Sequence, residues 1–119
     1  MDAQRVPRGT GAEAAVERLA EMSPDLRGCA VLDSEGHALA ASGGEPGRWA
    51  EAGAALLAAA DAAGKERASH VHVATEDGEA FAVRHGDLAM VAVAERFALA
   101  SLMVFDMRAV LRDFAREGA

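Results

Sequence analysis

Four histidines, one cysteine and scattered carboxylates are the side chains in this sequence that could do chemistry. His70 and His72 lie two residues apart, the spacing that puts both on one face of a strand, and His85 follows where a neighbouring strand could bring it close. A zinc site needs three or four ligands. The preferred pairing sets His70 opposite Arg84, and no Cys or carboxylate stands ready to complete a set. These histidines therefore read as residues of an edge or interface strand, with no metal expected.

Nucleophilic and acid–base chemistry find no better footing. Cys29 sits inside the apolar run Cys29-Ala30-Val31-Leu32, where a thiol behaves as a small hydrophobe. Reactive cysteines need partial exposure and positive surroundings. The pairs Glu76 and Asp77, and Asp33 and Glu35, fall in turn segments, and turn chemistry accounts for them. Gly64-Lys65 is the only Gly-Lys pair, but Ala59 stands where a phosphate-binding loop needs its first glycine and Glu66 follows the lysine. No GxGxxG occurs. The reading is a protein with no catalytic residues and no cofactor.

The elements that would carry these residues follow from periodicity and breakers. A helix is expected over 12–22, with Val16, Leu19, Ala20 and Met22 within one face, stopped by Ser23-Pro24. Strands are expected at 29–33 and 37–42 around the turn Ser34-Glu35-Gly36, followed by the breaker cluster at 43–47. The segment 49–67 is the longest helical candidate. It carries two apolar stripes, Trp49, Gly53, Leu56, Ala60 and Ala63 on one side and Ala50, Ala54, Leu57 and Ala58 on another. One sheet cannot cover both, so self-association through this helix is expected.

Strands at 71–75 and 79–83 flank the turn Glu76-Asp77-Gly78. A three-residue loop with Gly78 in the left-handed region places Val71, Val73, Phe81 and Val83 on one face. The unbroken apolar run at 88–94 belongs in the middle of a sheet. A last helix over 98–117 packs through Leu99, Leu102, Met103, Val110, Leu111 and Phe114, with Gly118 at its cap. The order is α-β-β-α-β-β-β-α. The fold class is α/β of the α+β type: a five-stranded antiparallel sheet flanked by helices on both faces.

Composition bounds the function. The chain has 119 residues, one domain's worth, and 51% of them are apolar. Surface scaling gives about 6,000 Å² folded against about 18,000 Å² unfolded, enough burial for a core without staples. A net charge of −7 disfavours nucleic acid and anionic membrane surfaces. A lone cysteine, which cannot form an internal disulfide, fits a reducing cytoplasm. The stretch 1–11 is polar, lacks the apolar core of a signal peptide and reads as a flexible arm before a single domain at 12–119. The apolar run 49–63 contains Glu51 and Asp61 and is no membrane span.

The remaining distinctive feature is an interaction surface. Trp49 is the only tryptophan, Arg48 precedes it, and both residue types anchor interfaces. Equally, Trp49 could cap its own core. The candidate interface set is Arg48, Trp49, Gly53, Leu56, Leu57 and Ala60 on the helix, with His70 and His72 on the strand.

The segment Leu26-Arg27-Gly28-Cys29-Ala30-Val31-Leu32-Asp33-Ser34-Glu35-Gly36-His37-Ala38-Leu39-Ala40-Ala41-Ser42 resembles the opening hairpin of roadblock/LC7 domains. The Ala-rich central helix, the hairpin at 71–83, the strand at 88–94 and the closing helix through Asp106-Met107-Arg108 are similar in order and spacing, so the resemblance covers about 12–117. The segment Phe97-Ala98-Leu99-Ala100-Ser101 departs from it in lacking a glycine that many bacterial members carry. The resemblance implies a roadblock/profilin-like fold and a cytoplasmic, bacterial, non-enzymatic signalling homodimer joined by the central helices and the adjoining edge strand. It also implies a small Ras-like GTPase as partner, bound through the paired helices. Stimulated GTP hydrolysis, without an inserted arginine finger, is one version of that role. Arg48 and Arg67 flank the helix, but no family motif transfers a catalytic role to them. A small-ligand-sensing module and a purely structural dimer in a larger complex are the alternatives.

Overall fold

The chain forms α1 (Arg8–Met22), β1 (Leu26–Leu32), β2 (Ala38–Ser42), α2 (Pro46–Ala63), β3 (His70–Ala74), β4 (Glu79–His85), β5 (Leu88–Ala94) and α3 (Ala100–Glu117), the expected order. The computed structural model describes residues 8–117, with side chains from Gly11 onward. The expected cap at Gly118 and the first seven residues of the expected arm lie outside the described residues.

Boundaries differ where local chemistry outweighs periodicity. α1 begins at Arg8, four residues before the expected start, so part of the stretch read as an arm is helix. Within the breaker cluster, Pro46 opens α2: a proline in the first helical turn lacks only an N–H that has no partner there anyway. α2 stops at Ala63 instead of running to Arg67, because Gly64 is extended at φ −109° and ψ 177°.

The strands make one antiparallel sheet in the order β2-β1-β5-β4-β3. β5 lies at its centre, as an all-apolar strand must when both of its faces are covered. α1 and α3 cover one face, where Leu19, Met107, Leu111 and Phe114 pack with Cys29, Phe81, Val83 and Met90. α2 covers the other, where Leu57 packs with Ala30, Leu32, Ala82 and Val91.

The β3–β4 hairpin corrects the expected register. His72 pairs with Phe81 and His70 with Val83, so Phe81 and Val83 share a face with the two histidines, whereas Val71 pairs with Ala82. Val71, Val73, Phe81 and Val83 are therefore not on one face, and His70 does not oppose Arg84. The loop has four residues because Thr75 closes it. Its hydroxyl donates to the Gly78 carbonyl at 2.8 Å and accepts the N–H groups of Asp77 and Gly78, both at 3.2 Å. Gly78, at φ +158°, is nearly extended; it is needed for close approach, since a Cβ there would lie 2.6 Å from the Ala94 carbonyl oxygen.

Two helix faces also differ. On α1, Ala12, Ala15, Val16 and Leu19 are buried, while Ala20 and Met22 are exposed. On α3, Met103, Val110, Leu111 and Phe114 are buried as expected and Asp106 and Met107 join them. Leu99 precedes the helix, and with Leu102 it points to solvent.

Candidate interaction surface

α2 meets the sheet along a stripe whose centre is Gly53 and Leu57, both buried. A Cβ on Gly53 would stand 2.7 Å from Val91 Cγ2 and 2.8 Å from Leu32 Cδ1, so glycine is what lets the helix sit this close. Gly53 and Leu57, two of the expected interface residues, thus face the chain's own sheet. Trp49, Leu56 and Ala60 are half-buried beside them, and Arg48 is exposed. The Trp49 ring lies over Gly28 and Gly44: a Cβ on Gly28 would come within 2.9 Å of Trp49 Cζ2. Trp49 therefore caps its own core.

The opposite side of α2 has no cover among the described residues. Ala52, Ala55, Ala59 and Ala62 recur there at helical spacing and are exposed. Next to α2, β3 forms one edge of the sheet, with its outer backbone groups unpaired by any described strand. Val73 is 40% exposed on this edge. An uncovered helix face of methyl groups thus adjoins an open strand.

The β3 histidines engage the other face. His72 Nε2 lies 2.5 Å from Glu79 Oε1, and its ring stacks on Phe81 with centroids 4.6 Å apart. Glu79 is buried, so this contact supplies a partner that a buried carboxylate requires. His70 Nδ1 accepts from the Arg108 guanidinium at 2.9 Å, tying α3 to the strand edge. His85 lies at the far end of β4, paired with Leu88. Among the described residues no group of three His, Cys, Asp or Glu side chains could hold a metal ion.

α2 is tied to β4, and to the loop leading into β3, by an ion pair that the sequence pattern does not single out. Arg84 on β4 donates to both carboxylate oxygens of Asp61, at 2.7 and 2.9 Å, and to the Ala68 carbonyl at 2.9 Å. Asp61 also accepts the Ala68 N–H at 2.8 Å. The α2–β3 loop is thereby pinned at both ends. These bonds hold the Asp61 carboxyl down at about 2, the Arg84 guanidinium contributing most. The available signal was contextual: Asp61 interrupts an alanine run, and Arg84 ends an apolar one.

Other polar groups are structural. Asp33 Oδ1 accepts the N–H groups of Glu35 and His37, both at 2.9 Å, so it builds the β1–β2 turn. The Cys29 thiol is buried, and burial raises it to about 11, away from nucleophile chemistry. A cleft of about 290 Å³ between α2 and the β1–β2 and β4–β5 turns is lined in part by Asp33, Asp61, Arg67 and Arg84. Its arginines are already engaged, Arg84 as above and Arg67 with the Gly86 carbonyl at 3.3 Å.

No described helix is long and apolar enough to cross a membrane. No family model and no curated protein matches the sequence. Solved structures do match. A roadblock/LC7 domain from Streptomyces avermitilis superposes with a TM-score of 0.77 at 16% identity, covering 87% of this chain and 94% of that one. The gliding protein MglB from Thermus thermophilus gives 0.71 at 18% identity, covering 95% and 92%. An MglB described in a tetrameric arrangement gives 0.69 at 19%, covering 99% and 97%. These superpositions over nearly the whole chain carry one conclusion: the chain has the roadblock/LC7 fold.

Proposed function

We propose that this protein is a non-enzymatic homodimeric regulator or scaffold of a small Ras-like GTPase. Two copies pair through α2 and β3, extending the sheet across the dimer and setting the two central helices side by side. The observation that carries this reading is the uncovered alanine face of α2 adjoining the open edge of β3. Small side chains let two helix backbones approach closely, and an unpaired strand is a ready template for a second one. The likeness to MglB structures, one of them in a tetrameric arrangement, supports both self-assembly and a regulatory role.

In this reading the dimer acts by binding, not by chemistry of its own. Its surface holds one nucleotide state of the GTPase better than the other and shifts the populations of the switch segments. Of the expected interface residues, Arg48, Leu56 and Ala60 are on α2, while His70 and His72 belong to the β3 edge with their rings turned to the α1–α3 side. Gly53, Leu57 and Trp49 support it from behind by fixing how α2 lies on the sheet.

Light scattering after size exclusion tests the pairing. The wild type should have the mass of two or more subunits, and Ala59→Arg, which places a charge on the exposed face, should lose the α2 pairing. Leu57→Glu is unsuitable because Leu57 is only 6% exposed and the variant would unfold. GTP turnover and affinity for the GTP and GDP forms of a candidate GTPase, all unchanged by excess protein, would refute the regulatory reading.

A further inference from the structure

A second surface lies on the opposite side of the sheet, on the outer face of the α1–α3 layer. Within residues 97–105, Phe97, Leu99, Leu102 and Phe105 are 84%, 66%, 53% and 68% exposed. Clustered exposed apolar side chains mark interaction surfaces. Phe97 has φ +65°, a conformation that glycine adopts freely and phenylalanine only at a cost, and Arg96 lies over its ring at 4.6 Å. The loop sits beside the end of α1, where the Glu95 N–H donates to the Asp25 carbonyl at 2.9 Å. Met22, 37% exposed, is at the same end.

Charge runs along the rest of this face in two stripes. Glu13, Glu17 and Glu21 recur every fourth residue on α1, and Arg108, Arg112 and Arg116 do so on α3; all six are exposed. The helices are antiparallel, and three contacts set their relative heights. Gly11 lies against the Phe114 ring, Arg18 donates to Asp113 at 2.7 Å, and the Ser23 hydroxyl donates to Asp106 at 3.4 Å. Glu13 is therefore at the height of Arg116, Glu17 at that of Arg112, and Glu21 at that of Arg108.

We propose that this face binds a second copy of the chain about a two-fold axis parallel to the helices, α1 of each copy lying over α3 of the other. Such an axis preserves height. It sets Glu13 against Arg116 and Glu17 against Arg112 of the second copy, twice over by symmetry, and brings the apolar end of one copy onto the apolar end of the other. Arg108 contributes less, because it is turned towards Ser69 and His70. A two-fold perpendicular to the helices would instead stack glutamate on glutamate and arginine on arginine, so the charge pattern selects the parallel axis. Two helices of this length offer about 500 Å² per copy, the lower end of specific interfaces, so the association is weak and concentration-dependent.

Sedimentation velocity over a concentration series in low and high salt tests this, with Ala59→Arg present throughout so that α2 pairing does not contribute. That protein should reach a two-subunit mass. Glu17→Arg and Arg112→Glu, each alone, should weaken it at least roughly tenfold, and the two together should restore it. Phe105→Ser should abolish it. Thermal melts should not distinguish the charge variants from their parent, since Arg112 has only a 3.9 Å contact to the adjacent Asp113 to lose. A single-subunit mass for Ala59→Arg at every concentration, or a double reversal no better than either single one, overturns the proposal. The first result with a two-subunit wild type would leave the α2–β3 pairing standing alone.

Discussion

Arg84 holds Asp61 through two parallel hydrogen bonds of 2.7 and 2.9 Å, and so fixes the end of α2 to β4 across the loop that leads into the edge strand. The same guanidinium reaches the Ala68 carbonyl, so this side chain anchors both the end of α2 and the approach to β3, the two elements proposed to pair.

This pair makes stability pH-dependent in a defined window. The Asp61 carboxyl is at about 2 in the folded chain against 3.8 ordinarily. A depressed carboxyl favours the fold fully above its unfolded value, and that contribution is lost as pH falls through the folded one. Asp61→Asn should therefore melt a few degrees below wild type at neutral pH, and this difference should shrink below pH about 4 and vanish near about 2. Calorimetric melts across acid pH check it.

Gly53 and Gly47 give opposite responses to the same change on one helix. Gly53→Ala drives a Cβ against Val91 and Leu32, and overpacking costs about 1–3 kcal/mol, offset by up to about 1 kcal/mol of helix propensity. Gly47, on the same helix, has nothing within 4 Å of its would-be Cβ, so Gly47→Ala should stabilise by about 0.5 kcal/mol. Urea unfolding of both variants measures the signs.

The thiol of Cys29 is buried and raised to about 11. Native protein at pH 8 should not react with DTNB over minutes, and one thiol per chain should appear once urea unfolds it. Rapid labelling of the folded chain would show that β1 opens locally.

His72→Ala should destabilise by about 1–3 kcal/mol, because it leaves the buried Glu79 carboxylate without the imidazole at 2.5 Å. It also removes the stack on Phe81, worth about 0.5–1.5 kcal/mol. Glu79→Gln, which keeps a hydrogen-bonding group there, should cost less. Denaturant midpoints distinguish the two.

Much of this molecule is written in local pattern. Element order, the central position of β5 and the burial of Cys29 follow from apolar runs and breakers, because a strand covered on both faces has no polar residue to spare. The hairpin register was not legible. One residue of loop length reverses every side chain of a strand, and the Thr75 hydroxyl decides that length through contacts whose partners periodicity does not reveal.

The interaction surface divides the same way. That α2 is apolar around most of its circumference is a property of the sequence alone, and so is the expectation that something beyond one sheet must cover it. Which residues meet the sheet was decided by tertiary packing: Gly53 and Leu57, one from each expected stripe, turn inward because only a glycine admits Val91 and Leu32 so close, leaving Ala52, Ala55, Ala59 and Ala62, in neither stripe, outward. The exposure of Phe97, Leu99, Leu102 and Phe105 is likewise a tertiary outcome. Phe97 and Leu99 precede α3, and Leu102 and Phe105 lie on the side of it away from the buried Met103, Asp106 and Met107; a helix buries only the face that has something opposite it.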